Sequence, residues 1–160
     1  MASRKLFTVV FIRKDTEILL GLKKRGFGQG KWNGFGGKVK SGETILQAAI
    51  RETKEECGLS VEDLKKIAIL EVEFEGNNEL LVVHFFETYK YHGELIESEE
   101  MQPQWYAVEN IPYREMWPDN EEWYPNMLGG KLLKVYASYR NQDLIKCDVQ
   151  PVEELTVDES

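Results

Sequence analysis

Three glutamates, Glu52, Glu55 and Glu56, stand at i, i+3 and i+4 within the segment GKVKSGETILQAAIRETKEECGL, which runs from Gly37 to Leu59. On a helix this spacing projects all three carboxylates from one face, where like charges repel unless cations intervene. Carboxylate oxygens are hard ligands suited to Mg²⁺ or Mn²⁺. Mg²⁺ in particular is held by a few carboxylates together with the oxygens of a phosphate chain. Arg51 and Glu43 accompany the three, and a glycine-rich stretch precedes them. A solvated acidic face would account for a lone Glu-Glu pair. It gives no reason for the arginine, the fourth acid and the glycines.

The elements around this segment are expected to position it. Ser41 or Thr44 can cap a helix over 44–57, Gly58 follows its end, and Ile45, Ala48, Ala49 and Thr53 trace its inner stripe. Leu6 to Ile12 and Glu17 to Leu22 predict a hairpin turning at Lys14-Asp15-Thr16. Lys23 to Gly42 holds seven glycines among basic and aromatic residues and predicts a functional loop over the sheet. Ile67 to Phe74 and Leu80 to Tyr89 predict a second hairpin around Gly76-Asn77-Asn78, and Gln104 to Val108 a short strand. The region 112–125 reads as irregular, followed by a helix through Leu133. Val135 to Tyr139 and Leu144 to Val149 predict a last hairpin. One domain over 1–150 is expected, with an acidic, frayed tail over 151–160.

Bulk properties restrict the partners. A chain of 160 residues with 42% apolar residues suits a single globular domain. A net charge of −8 and the lack of a basic stripe argue against a nucleic-acid polymer as partner. A small polyphosphate remains compatible, because bound metal ions can cancel its charge locally. Cys57 and Cys147 form no CxxC motif or disulfide framework, which points to a reducing compartment, the cytoplasm first. No stretch has the length of a membrane span, and a monomer is expected. His84 and His92 make no zinc motif, and no phosphate-binding G-x-x-x-x-G-K-[ST] occurs.

The spacing resembles the signature of the Nudix hydrolases. Gly37, Glu43, Arg51, Glu52, Glu55, Glu56, Gly58 and Leu59 all match that long, gapped pattern. Thr53 departs from it, standing where the pattern has an aliphatic residue, and the position is one of packing. The resemblance implies an α/β (α+β) fold, an α/β/α sandwich around a central mixed sheet. It also implies Glu52, Glu55 and Glu56 as metal ligands, a backbone carbonyl near Gly36 or Gly37 beside them, and Arg51 and Glu43 as their orienting groups. The reaction it implies is substitution by water at phosphorus on a nucleoside diphosphate linked to another group. Glu100, in the ESEEM run, is the best further carboxylate for metal or for the proton of the water, with Glu99 its rival.

Three more segments, at 19–39, 97–105 and 111–125, are similar to the branch of this family that cuts oxidised purine nucleoside triphosphates. The implied substrate is 8-oxo-dGTP, cut to 8-oxo-dGMP and pyrophosphate. By that resemblance Asn33 bonds the purine edge, and Trp117 and Phe27 cover the base. Thr8 and Lys23 line the floor and the route to the phosphates, and Phe74, Leu81 and Trp123 complete an apolar wall. Trp32 and Trp105 read instead as ordinary core. The branch carries two adjacent aspartates where this chain has Asp119 and Asn120. Two close carboxylates can share a proton, whereas an amide offers a fixed donor and a fixed acceptor. The expectation is that 8-oxo-dGTP is retained and the 2-oxo-adenine nucleotide is used less well. Another nucleotide (an alkylated or normal purine triphosphate, or ADP-ribose) and a catalytically silent nucleotide-binding module are the alternatives.

Overall fold

Alternation along the first strand, β1 (Ser3–Arg13), sorts the molecule into layers. Val9 and Phe11 enter one buried cluster with Trp123, Tyr124 and Met127, while Val10 and Ile12 enter another with Ile45, Ala49 and Cys57. Successive strand residues face opposite sides of a sheet, so β1 divides two apolar cores, each roofed by a helix. These observations come from a computed structural model describing residues 3–157.

The strands after β1 are β2 (Glu17–Lys23), β3 (Trp32–Asn33), β4 (Ser60–Glu62), β5 (Lys65–Phe74), β6 (Glu79–Thr88), β7 (Lys90–His92), β8 (Met101–Ala107), β9 (Leu132–Arg140) and β10 (Asp143–Val152). The helices are α1 (Ile45–Cys57) and α2 (Asp119–Leu128). Among the described residues the main sheet runs β10-β9-β5-β6-β1-β2-β3, with β8 also paired to β2. β1 lies parallel to β6, and β5 parallel to β9, while the other neighbours are antiparallel. The expected mixed sheet between helices is therefore present. The short β4 and β7 pair as a separate ribbon.

Helix α1 starts and stops on local chemistry. Thr44 Oγ1 accepts from the Gln47 N–H at 3.0 Å, and Gln47 Oε1 accepts from the Thr44 N–H at 2.9 Å, a reciprocal cap. Gly58 ends the helix at φ 82°, where its N–H reaches the Lys54 carbonyl. Thr53, the departure from the family pattern, is buried, and its hydroxyl bonds the Ala49 carbonyl at 2.8 Å.

Three expectations are corrected. The second helix begins at Asp119, inside the stretch taken as irregular, and ends at Leu128, while Leu132 and Leu133 already belong to β9. Pro118 adopts helical angles before it, and Asp119, Glu121 and Glu122 suit the positive end of a helix. Pro125 costs an internal hydrogen bond, which burial of Trp123, Tyr124 and Met127 offsets. The glycine loop contains β3 and runs beside β1 through bridges at Phe35 and Lys38. The tail does not fray at Pro151. Pro151 and Val152 pair with Leu133 and Leu132, and the buried Lys66 Nζ donates to the carbonyls of Thr156 and Val157. Residues 158–160 lie outside the described residues.

A Cβ at Gly58 would stand 2.6 Å from the Glu94 carbonyl oxygen, whereas one at Gly42, with the same φ of 82°, would meet nothing within 4 Å. Gly42→Ala is expected to cost about 1–2 kcal/mol for its left-handed backbone. Gly58→Ala is expected to cost clearly more. Urea unfolding of both variants measures the difference, and equal losses would mean the Glu94 contact gives way freely.

Candidate active site

The glycine loop crosses β1 closely enough to bond with it. Thr8 N–H donates to the Gly37 carbonyl at 2.9 Å, and Val10 and Phe35 exchange bonds of 2.7 and 3.0 Å. A Cβ at Gly36 would fall 1.7 Å from the Thr8 carbonyl oxygen, so only glycine permits this approach. The Gly36 N–H is turned instead to Glu56 Oε1 at 2.9 Å, and the Glu52 carboxylate lies 2.7 Å from where a Gly37 Cβ would be. Loop and helix thus close on each other across a seam of carboxylates.

Arg51 organises that seam. Its guanidinium donates to both oxygens of Glu43 at 2.6 and 3.0 Å, to Glu52 at 2.8 Å and to Glu55 at 3.2 Å. Hydrogen bonding to Arg51 holds the Glu43 carboxyl down to about 2 and keeps the guanidinium charged. Glu56 is the buried member. Burial pushes its carboxyl up to about 8, the Gly36 N–H opposes the shift, and the Glu52 and Glu100 charges add to it. Glu100 has one oxygen on Lys23 Nζ at 2.9 Å and the other on Arg25 Nε at 2.7 Å, and these bonds hold its pKa below the usual carboxylate range. Glu99 is exposed and pairs with Arg25 at 3.4 Å.

One cavity of about 980 Å³ joins this seam to an aromatic chamber. Glu52, Glu55, Glu56, Glu100, Gly36 and Gly37 line it on the carboxylate side, Asn33, Phe74, Leu81, Trp117, Asp119 and Asn120 on the aromatic side, and Thr8, whose N–H meets the Gly37 carbonyl, lines it too. Lys23 also lines it and donates to Glu100 at 2.9 Å. Phe27, 67% exposed, stacks on Trp117 at 5.3 Å as an outer lip. Asn33 Oδ1 accepts from the Gly34 N–H and the Tyr124 hydroxyl, so its NH₂ is the group left to offer. Glu43 and Arg51 are not among the lining residues and meet the carboxylates through the Arg51 hydrogen bonds.

One placement is a correction. Trp123 does not line the cavity. It is fully buried against Phe85 at 4.7 Å, and its Nε1–H supports Asp119 Oδ2 at 2.9 Å. Sequence reasoning also missed Tyr139, which lines the cavity, stacks on Phe74 at 5.4 Å and bonds Asp119 through its hydroxyl. Nothing in its local sequence separates it from other tyrosines of a strand. Trp32 is core, as expected, and Trp105 packs beside the second cluster.

The donor set suits a divalent cation. Glu52, Glu55 and Glu56 supply hard oxygens, and their mutual repulsion around a desolvated Glu56 is what a cation would relieve. Among the described residues, no three acidic, histidine or cysteine side chains already converge into a cage. The carboxylates rest instead on Arg51, the Gly36 N–H and Lys23.

A capped helix whose glutamates face a glycine loop, opening into a nucleotide-sized cavity, suits hydrolysis of a phosphoanhydride. Residues 3–127 match the NUDIX domain, and the chain belongs to that family of hydrolases, whose members generally use a divalent metal. It is 50% identical over 145 residues to the oxidized purine nucleoside triphosphate hydrolase of Danio rerio, and 46% identical to that of Mus musculus. In each case 91% of this chain and 93% of the relative are covered. Its fold is similar to that of a mutator MutT protein from Bacillus halodurans, with a TM-score of 0.81 at 23% identity, covering 91% of this chain and 97% of that one. No helix among the described residues is long and apolar enough to cross a membrane.

The Glu43–Arg51 pair has a pH signature. A carboxyl depressed from 4.5 to about 2 contributes stability that is fully present above about pH 4.5 and lost as the pH falls towards 2. Glu43→Gln should therefore be less stable than the parent protein at pH 7. The gap should narrow steadily below about pH 4, as followed by thermal unfolding across that range.

Proposed function

We propose that the protein hydrolyses oxidised purine nucleoside triphosphates, converting 8-oxo-dGTP to 8-oxo-dGMP and pyrophosphate and so clearing oxidised nucleotides from the pool. The observation that carries the reading is continuity. A single cavity has an aromatic, amide-bearing end sized for a purine and a carboxylate end suited to a metal-bound triphosphate. The names of the zebrafish and mouse relatives, spanned almost end to end, support the substrate class.

In this reading Glu52, Glu55 and Glu56, with a backbone carbonyl of Gly36 or Gly37, hold the divalent cation, Mg²⁺ or Mn²⁺ in its place. When bound, the cation supplies charge neutralisation on phosphate oxygens and a lowered pKa for the attacking water. Arg51 keeps Glu52 and Glu55 aimed at the cavity while Glu43 balances its charge. Lys23 and Lys38, both on the cavity wall, meet the phosphate chain. Water oxygen bonds to phosphorus as the bridging P–O bond breaks, and pyrophosphate departs. Glu100 holds Lys23 in place and is a further carboxylate towards the cation. A carboxyl held below its usual pKa is a weak base, which counts against Glu100 as the acceptor of the water's proton.

At the other end the base stacks on Trp117, an interaction worth about 1–3 kcal/mol. Asp119, ionised, accepts from the guanine N1–H and amino group. Asn120 Nδ2, buried on the cavity wall without a partner among the described residues, donates to O6. Asn33 and Thr8, whose buried hydroxyl also lacks a partner among the described residues, address the rest of the ring.

With Mg²⁺ and pyrophosphate release as readout, kcat/KM is expected to favour 8-oxo-dGTP strongly over dGTP, with 2-oxo-dATP poorer than 8-oxo-dGTP. Glu56→Gln should lower kcat by about a hundredfold or more while the base end still binds. Asn120→Asp should raise 2-oxo-dATP relative to 8-oxo-dGTP. Uniformly poor use of all three nucleotides would overturn the substrate, and an unchanged ratio in Asn120→Asp would remove the role given to the amide.

A further inference from the structure

Asp119 is nearly fully buried, and both of its carboxylate oxygens already receive a donor. Trp123 Nε1–H, which can only donate, lies 2.9 Å from Oδ2. The Tyr139 hydroxyl donates to Oδ1, and the Asp119 backbone N–H donates to that same hydroxyl oxygen at 3.0 Å, which leaves the hydroxyl hydrogen free to point at the carboxylate. The result is a closed loop between the start of α2 and the end of β9. The ring of Tyr139 is itself fixed, stacked on Phe74 at 5.4 Å and met edge-on by Trp117 at 5.4 Å.

Two physical effects oppose each other at this carboxyl. Burial raises its pKa, and the donors from Tyr139 and Trp123 lower it, with burial the larger. The other titratable groups in the shell are neutral at neutral pH. They are Tyr139 from β9 and Tyr124 from α2, both with raised pKa, and Cys147 from β10, pushed up to about 11. The exposed Glu122 of α2 acts on Cys147. Lys31 Nζ lies over the Trp117 ring at 5.0 Å. The tyrosine hydroxyl is thus among the few groups that can hold Asp119 in its acceptor form.

That form matters because purine edges differ at N1. A guanine-type ring presents N1–H, which needs an acceptor, and an adenine-type ring presents a bare N1, which needs a donor. Asn120 can serve either O6 or an amino group by turning its amide. Asp119 cannot do both without changing its proton.

We propose that Tyr139 is a positioning residue that sets purine preference: its hydroxyl, locked by the Asp119 backbone N–H, holds Asp119 as an acceptor and so selects guanine-type over adenine-type edges. The inference rests on the substrate reading above and adds to it a residue and a direction.

The test compares the intact protein with Tyr139→Phe, which keeps the ring and removes only the hydroxyl. kcat/KM for 8-oxo-dGTP and 8-oxo-dATP, which share the oxidised position and differ at the edge, is measured with Mg²⁺ from pH 5.5 to 9. The expected result is an acid limb for 8-oxo-dGTP displaced upward by about one pH unit, with preference shifting about tenfold towards 8-oxo-dATP near pH 7. Raising the pH should restore 8-oxo-dGTP use, which a merely structural defect would not allow. An unmoved limb and ratio overturn the proposal. In parallel, the Asp119 side-chain carboxyl carbon is titrated by NMR without nucleotide, and its pKa should be higher in the variant. If neither nucleotide is a substrate of the parent protein, the substrate reading falls, while the NMR difference still decides whether Tyr139 holds Asp119. Should Tyr139→Phe fail to fold, the same titration in Trp123→Phe, which removes the other donor, should show the same direction, and no shift there contradicts the account.

Discussion

The site depends on how closely the glycine loop lies against β1. A side chain at Gly36 would fall inside the Thr8 carbonyl, so the approach is open only to glycine. From it follow the ladder between Thr8, Val10, Phe35 and Gly37, and the turning of the Gly36 N–H towards Glu56. That single bond brings the glutamate face of α1 onto the loop. The same loop carries Asn33, which lines the cavity with Gly36 and Gly37, so one backbone segment serves both the base side and the carboxylate side.

Electrostatics in the seam follow from this closeness. Glu56 is desolvated between loop and helix, and Glu52 and Glu100 raise its pKa further. Arg51 relieves part of the crowding by binding Glu43, which precedes the helix, together with Glu52 and Glu55 on it. Lys23 and Arg25 do the same for Glu100 from the opposite wall. The charges are therefore arranged in pairs that leave oxygens facing the cavity. Such an arrangement costs stability when nothing binds there, and its persistence is a mark of function.

Much of this was legible in the sequence, and the parts that were not share a cause. Helix α1 could be read because Thr44, Gln47 and Gly58 act locally, within one turn of their partners. The carboxylates could be read because their spacing is helical. β3, β4 and β7 are two or three residues long and have no period to detect. α2 was displaced because Pro118 and Pro125 look like breakers, and the burial that overrides them comes from β-strands far away in the chain. Trp117 and Trp123 have similar neighbours, yet one lines the cavity and the other braces Asp119 from behind. Tyr139 was invisible for the same reason: its partner is twenty residues away, on another element.

The central claim is that the aromatic chamber and the carboxylate seam are two ends of one nucleotide site. The most direct measurement is a crystal structure of Glu56→Gln with 8-oxo-dGTP and Mg²⁺. The account predicts the base on Trp117 with its edge against Asp119 and Asn120, and the phosphates reaching past Lys23 to Glu52 and Glu55. A base bound outside this chamber, or phosphates directed away from α1, would contradict it.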